Sequence, residues 1–118
     1  MPITSSDIAH GRQSLQGKRV VITGGTGFIG SNLARRCVEL GAKVRVVAHT
    51  LERTSNLDGV TSEIEFFRGD VCKHESMSKA VLDADVVFHL AAQTSHHVAS
   101  ETPVRDVEVN CIGTLNVL

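Results

Sequence analysis

The chain has 118 residues, 42% of them hydrophobic and 21% charged, and its formal net charge at pH 7 is -1. This length supports one domain with one core, and no apolar run reaches the roughly 18 residues that a membrane-spanning helix requires. A charge so close to zero also argues against nucleic acid as a partner, because phosphate backbones are bound by concentrated basic surfaces.

The first seventeen residues lack the apolar stretch of a secretory signal. We therefore expect a flexible N-terminal arm at 1–17, a domain at 18–118 and a cytoplasmic location. Cys37, Cys72 and Cys111 are widely separated and odd in number, which favours reduced and buried thiols over disulfides.

Four short runs rich in β-branched residues predict strands at Arg19–Thr23, Lys43–Ala48, Ile64–Phe67 and Val86–Leu90. Helical patterns separate most of them, so the chain alternates between strand and helix. Such alternation predicts a parallel sheet with right-handed crossovers and helices on both faces. The fold class is therefore α/β, a doubly wound parallel sheet of about four strands.

The first helical pattern follows strand one. Ile29, Leu33, Cys37 and Leu40 recur at helical spacing and predict one apolar stripe, which ends at Gly41. The segment 50–60 is too short and polar to assign.

Two further helices are predicted later in the chain. Met77, Ala80 and Val81 indicate a short helix before strand four. Thr102 and Pro103 are typical of a helix start, with proline in the first helical position. The residues that share one face of this last helix are Val104, Val107, Cys111, Leu115 and Leu118.

A glycine-rich turn joins strand one to the first helix. Gly24 allows a tight turn, Gly27 lets the backbone approach a pyrophosphate, and Gly30 lets the helix pack closely on the strand. The N-terminus of the helix adds unpaired N–H groups for an anion. The alternatives are a turn that binds nothing and a P-loop, but a P-loop needs Gly-Lys-Ser/Thr where this chain has Gly30-Ser31-Asn32.

Four sequence segments carry a family resemblance: VITGGTGFIGSNL at 21–33, FRGDV at 67–71, VVFHLAA at 86–92, and VN at 109–110 with GTLNVL at 113–118. Over residues 18–118 the chain is similar to the N-terminal, cofactor-binding part of the extended short-chain dehydrogenases/reductases, the family of nucleotide-sugar epimerases and dehydratases. The resemblance implies an incomplete Rossmann-like sheet with the strand order 3-2-1-4, and a nicotinamide dinucleotide cofactor.

The resemblance also implies roles for individual residues. Asp70 and Val71 correspond to the segment that lies against the adenine, and Asn110 to an asparagine that steadies the sheet. Leu90, Ala91 and Ala92 correspond to the strand end that passes the ribose and pyrophosphate, and Gln93 follows them in a loop that could equally be solvated. The implied contacts in the glycine turn are Gly24, Gly27, Phe28, Ile29 and Gly30.

The choice between NAD and NADP stays open at this point. Family members often end strand two with an acidic residue that binds the ribose, whereas this chain has Ala48 and His49. Glu52 could take that role and favour NAD, while Arg53 and His49 could meet a 2'-phosphate and favour NADP. The run at 51–59 is similar to NAD-using epimerases, so we expect NAD.

Chemistry in the family depends on a Tyr-x-x-x-Lys pair, in which the lysine lowers the pKa of the tyrosine. This chain contains no tyrosine, so no residue inherits the catalytic role and the chain alone is expected to be inactive. The pattern stops inside the last helix, as a truncation would, and a nucleotide sugar is expected only in a full-length chain. The alternative is a non-catalytic nucleotide-binding or interaction module.

Two further expectations concern partners. His96 and His97 are adjacent, and His49, His74 and His89 are scattered, so no metal site is predicted. The free edge of strand four predicts self-association.

Overall fold

The structure, a computed structural model, describes residues 2, 4–6, 14–95 and 100–118. Within these ranges no helix is both long and apolar enough to cross a membrane. In chain order the strands and helices are β1 (Arg19–Thr23), α1 (Phe28–Glu39), β2 (Lys43–Ala48), β3 (Ile64–Arg68), α2 (His74–Ala80), β4 (Val86–His89), α3 (Pro103–Val107) and α4 (Gly113–Val117). The segment left unassigned from sequence contains a 3-10 turn at Ser55–Leu57, and a second such turn at Thr61–Glu63 leads into β3.

The four strands form one sheet in the order β3-β2-β1-β4, and every neighbouring pair is parallel. This confirms the predicted strand order and the doubly wound fold. The carboxyl ends of the two central strands, β1 and β2, lie side by side, with Thr23 paired to Val47. In such a sheet ligands bind at the carboxyl edge, where the order of connection reverses between β1 and β4.

Alternate residues of each strand face opposite layers of helix. Val20 and Ile22 pack towards the layer that contains α1, whereas Val21 packs towards the layer that contains α2. This alternation is the side-chain period of a strand. Both faces are therefore covered, which explains why β1 is apolar at 20–22 and β2 is apolar at 46–48.

The apolar stripe predicted for α1 is wrong at its first position, because the Ile29 side chain is 70% exposed. The fully buried residues of the helix are instead small ones: Gly30, Ser31, Ala34 and Cys37. Small side chains let the helix approach the sheet closely, while Leu33, the second residue of the predicted stripe, packs against the core partly buried. Gly41 ends the helix as predicted, in the left-handed region at φ 78°.

A π-helical turn at Glu108–Ile112 joins α3 to α4, so that 103–117 forms one run, here called the final helix. Val109 and Val117 pack on the sheet, and Gly113 is buried against Val71. The five residues predicted to share a face lie on the other side, and all of them are exposed. The prediction of a buried thiol is therefore wrong for Cys111, which is exposed, while Cys37 is buried and Cys72 is half-buried.

The end of the predicted N-terminal arm contacts the domain. Leu15 packs against the core on the α1 side, and the Gly17 N–H donates to the Gly41 carbonyl at 2.9 Å. The division into an arm at 1–17 and a domain at 18–118 stays a prediction, with residues 14–17 resting on the domain.

Candidate functional site

The glycine turn starts where β1 ends. Gly24 has a φ of 69°, and its N–H donates to the Val47 carbonyl at 2.9 Å. A Cβ atom at Gly24 would lie 2.8 Å from the Ala91 nitrogen and 2.9 Å from the Leu90 carbonyl carbon. Gly24 is therefore required both by its left-handed conformation and by the segment after β4, which lies directly against it.

The two later glycines of the turn have different surroundings. A Cβ atom at Gly30 would collide with the Gly24 carbonyl oxygen and lie 2.8 Å from the Gly25 Cα atom. At Gly27 a Cβ atom would meet only the Gly24 oxygen, at 3.4 Å, and φ is -73°. The fold itself thus requires Gly30 to be glycine but does not require it at Gly27. What Gly27 preserves is open space in front of the N-terminus of α1.

That N-terminus is suited to an anion. The first residues of a helix have N–H groups with no acceptor inside the helix, and the helix dipole adds positive potential there. The first turn of α1 carries no acidic residue, and Gly27, its N-cap, has no side chain that could bond to these N–H groups. The donors therefore remain available to a bound phosphate.

A second set of contacts supports the turn from outside. The Asn56 side-chain amide donates to the Thr26 carbonyl at 3.1 Å. Arg35, on α1, holds the Asn56 and Asp58 carbonyls through its Nη2 atom, each at 2.8 Å. Asn56 lies in the segment that the sequence left unassigned. Neither Asn56 nor Arg35 was predicted, because only the folded chain brings 56 next to 26.

A cavity of about 440 Å³ opens in front of the turn, at the carboxyl edge of the sheet. This volume lies within the range of ordinary small-molecule sites, roughly 300 to 1,000 Å³. The residues that line it are Gly24, Thr26, Gly27, Val47, Ala48, His49, Thr50, Gly69, Asp70, Val71, Leu90, Ala91, Ala92, Gln93, Arg105 and Val109.

Asp70 forms one wall of the cavity and is held in place from both sides. Its Oδ1 atom accepts the Cys72 N–H at 3.0 Å, and its own N–H donates to the Ser76 hydroxyl at 3.0 Å. Burial raises the pKa of Asp70, but the hydrogen bond from Cys72 and the positive charges of His49 and Arg105 outweigh it, so the pKa is lowered overall. Asp70 is therefore a fixed anionic acceptor at neutral pH.

Two wall residues come from the final helix and were missed by sequence reasoning. The Arg105 guanidinium lies 3.5 Å from the Cys72 sulfur and 3.6 Å from the Glu108 carboxylate. Val109 follows Arg105 by one helical turn and lines the cavity on the same side. Their spacing of four residues, in a helix that starts beyond the carboxyl end of a strand, was the available signal.

The third wall is the segment 90–93, which follows β4. The Asn110 side chain binds the Gln93 backbone twice: its Oδ1 atom accepts the Gln93 N–H at 2.7 Å, and its Nδ2 atom donates to the Gln93 carbonyl at 3.1 Å. The steadying role that the resemblance implied for Asn110 thus takes the form of a clamp on the cavity wall.

The structure therefore brings nine of the predicted cofactor residues together around one cavity. Of the others, Gly30 packs beneath the turn, Phe28 and Ile29 are exposed at the start of α1, and Glu52 and Arg53 are exposed after β2. His96 and His97 lie outside the described residues. In the ranges that are described, no three His, Cys, Asp or Glu side chains form a group that could hold a metal ion.

The chain also matches a known protein family. The model of the NAD dependent epimerase/dehydratase family matches residues 20–118. The chain belongs to this family.

The individual relatives are longer proteins, and the chain matches about a third or less of each. It is 37% identical over 102 residues to UDP-N-acetyl-alpha-D-glucosaminuronate decarboxylase of Bacillus cytotoxicus, covering 86% of this chain and 32% of that protein. The epimerase Mth375 of Methanothermobacter thermautotrophicus superposes with a TM-score of 0.83 at 32% identity, over 99% of this chain and 34% of its own.

A third comparison includes a cofactor. UDP-glucose 4-epimerase of Thermus thermophilus, solved in complex with NAD, superposes with a TM-score of 0.72 at 37% identity, over 84% of this chain and 32% of its own. Across the first curated relatives, the chain spans 22% to 34% of their length.

Proposed function

We propose that this chain binds a nicotinamide dinucleotide and supplies the cofactor site of a nucleotide-sugar epimerase or dehydratase. The observation that carries the proposal is the open side of Gly27. A position that is free of steric demands within the fold, yet borders both a helix N-terminus and a cavity, fits a backbone that must let a pyrophosphate approach.

The rest of the cavity fits the other parts of the cofactor. Asp70 and Val71 would hold the adenine, with Arg105 closing that end. His49 and Thr50 line the cavity at the end of β2, where the adenosine ribose would lie. The segment 90–92 would pass the pyrophosphate and the second ribose. When bound, the nicotinamide supplies hydride transfer, while the chain's own residues bind and orient it.

We further propose NAD rather than NADP as the cofactor. Ala48, at the end of β2, is buried and offers no positive charge to a 2'-phosphate. Of the two residues that would favour NADP, Arg53 is exposed and is not part of the cavity lining, whereas His49 lines the cavity. Glu52 is also exposed and outside the cavity lining, so its contact with the adenosine ribose stays a prediction.

Titration of NADH into the purified chain tests the proposal. The chain has no tryptophan or tyrosine, so the fluorescence of NADH itself reports binding without protein background. We expect saturable one-to-one binding of NADH, and weaker binding of NADPH. Calorimetry with NAD and NADP is the independent measurement. Absence of saturation at millimolar NADH would refute dinucleotide binding, and NADPH binding more than about tenfold tighter would refute the preference for NAD.

The substrate and the reaction are proposed on the family alone. A nucleotide sugar would be bound by the full-length protein, since this chain spans a third or less of most relatives that it matches. The absence of tyrosine from the sequence still predicts that the chain alone does not turn over such a substrate.

A second candidate function, protein interaction, is favoured by the outer side of the final helix. Val104, Val107 and Leu115 are large, apolar and exposed there, and β4 is an end strand of the described sheet. An exposed apolar face beside a free strand edge promotes association. We propose that the chain self-associates through this surface.

Light scattering over a range of concentrations tests self-association. We expect the average molar mass to rise with concentration and to fall back to that of a monomer in Leu115→Glu, which places a charge on the exposed face. Ser78→Glu, on the exposed side of α2, is the matched control and should behave like the unmodified chain. A monomer mass at every concentration would contradict the proposal.

A further inference from the structure

His89, the last residue of β4, is hydrogen-bonded through both ring nitrogens. Its Nδ1 atom lies 2.6 Å from the Thr23 hydroxyl, and its Nε2 atom lies 3.1 Å from the Thr114 hydroxyl. Thr23 is the last residue of β1, and Thr114 belongs to the final helix. The imidazole therefore connects the centre of the sheet to the helix that covers it.

The direction of the hydrogen bond to Thr114 follows from its other partner. The Thr114 hydroxyl donates its only proton to the Asn110 carbonyl at 2.7 Å. It can therefore only accept from His89, so the Nε2 atom must carry a proton.

The direction of the hydrogen bond to Thr23 follows independently. The Thr23 hydroxyl oxygen accepts the Ala91 N–H at 3.2 Å, and it shares the Leu90 N–H with the Thr23 carbonyl oxygen, each at 3.1 Å. Both N–H groups point at the lone pairs of the hydroxyl oxygen, so its proton is directed to the Nδ1 atom, which therefore carries none. Both ends of the network thus require the same neutral imidazole, protonated on Nε2.

The network closes into a ring around the cavity wall. Asn110, whose carbonyl binds Thr114, also clamps the Gln93 backbone, and Thr23 holds the N–H groups of Leu90 and Ala91. The segment 90–93 is therefore fixed at both ends by groups that meet through His89. This is the segment that lies directly against Gly24 in the glycine turn.

We infer that His89 is a positioning residue of the cofactor site, held as the neutral Nε2-protonated tautomer, which fixes the 90–93 segment against the glycine turn. The effect on cofactor affinity rests on the proposed function, whereas the tautomer does not. A second proton on Nδ1 would give the Thr23 oxygen a third donor, so protonation breaks the ring at the point where it holds Leu90 and Ala91.

Among the residues that the structure describes, the hydrogen-bond partners of the imidazole do not ionise: β1 presents Thr23, and the final helix presents Thr114. The charged residues of the final helix, Arg105, Asp106 and Glu108, precede Thr114 by more than one turn. Burial lowers the pKa of His89. The unfolded chain takes up this proton near pH 6.5 and the folded chain only at lower pH, so the free energy of unfolding falls as pH drops below about 6.5.

Long-range proton–nitrogen NMR of the 15N-labelled chain tests the tautomer without any cofactor. The chain has six histidines, and the His89 signals are those lost in His89→Gln. We expect a proton on Nε2 only at neutral pH, and a titration midpoint below the ordinary value of about 6.5. A proton on Nδ1, or titration at the ordinary midpoint, would overturn the inference even if NADH binds normally.

Binding by three threonine variants tests the positioning role. Thr23→Val keeps the shape but removes the hydroxyl, and we expect NADH affinity to fall about tenfold, whereas Thr23→Ser should restore most of it. Thr114→Val, outside the cavity wall, should weaken NADH binding about threefold and change the His89 signals. Thr61→Val, in an exposed turn, is the control. If Thr23→Val and Thr114→Val both bind NADH as tightly as the unmodified chain, the positioning role is refuted. If the unmodified chain does not bind NADH, the proposed function is refuted instead.

Discussion

Replacing Gly30 with alanine is expected to lower the free energy of unfolding by about 2 to 3 kcal/mol, the cost of overpacking a tight contact. The added Cβ atom would collide with the Gly24 carbonyl oxygen, which is fixed backbone and cannot move aside as a flexible side chain could. Helix α1 would have to shift away from β1. For a chain of this size the loss corresponds to a fall in melting temperature of about 10 °C.

The sign of this effect separates packing from helix propensity. Gly30 lies inside α1, where propensity alone favours alanine by about 0.8 to 1 kcal/mol. Urea unfolding followed by circular dichroism measures the difference directly. The matched control is Gly27→Ala, in the same turn but without a close neighbour, which should lose at most about 1 kcal/mol through its weaker N-cap. A Gly30→Ala chain as stable as the unmodified one would show that the close approach of α1 to the turn is not required.

Replacing Gly27 with alanine is expected to have the opposite pattern: a folded chain that has lost its affinity for NADH by about tenfold to a hundredfold. The added methyl group would meet little within the fold, at 3.4 Å from the Gly24 oxygen, but it would occupy space at the N-terminus of α1. A phosphate that approaches the helix N–H groups needs that space. NADH titration gives the affinity, and circular dichroism shows whether the fold is intact.

Gly27→Ser distinguishes lost space from a weakened helix start. Serine is a favoured N-cap, so this variant should regain the stability that alanine loses. Its Cβ atom still occupies the same space, and its hydroxyl would compete for the helix N–H groups, so we expect NADH binding to stay weak. Normal binding by the serine variant would mean that the cap, and not the open space, decides affinity.

Much of the fold was predictable because each strand has a distinctive local sequence. β1 and β2 have the predicted bounds, and β3 and β4 differ from them by one residue each. A strand buried on both faces must be apolar along its length, so its sequence alone is distinctive. The helices were less predictable. Periodicity assigned Ile29 to the core of α1, yet the residues that face the sheet are small, and apolar content does not reveal them.

The site was predictable in part for the same reason. Gly24, Asp70 and Ala91 follow strand ends, and the carboxyl ends of parallel strands must meet at one edge. Arg105 reaches the same cavity from the final helix, and Asn56 reaches the glycine turn from a segment with no regular pattern. Nothing in their local sequence marks them, because their contacts depend on how distant segments pack.

The sequence by itself determined the positions of the four strands and of the glycine turn, because each depends on a short stretch whose chemistry is local, whereas the strand order was expected from the family resemblance. Only the tertiary structure decided which glycine the fold needs and which one leaves space, since this depends on the backbone that each would touch. It also decided the state of His89. A neutral histidine has two possible tautomers. Which one forms is decided by its hydrogen bonds to Thr23 and Thr114, which are 66 and 25 residues away along the chain.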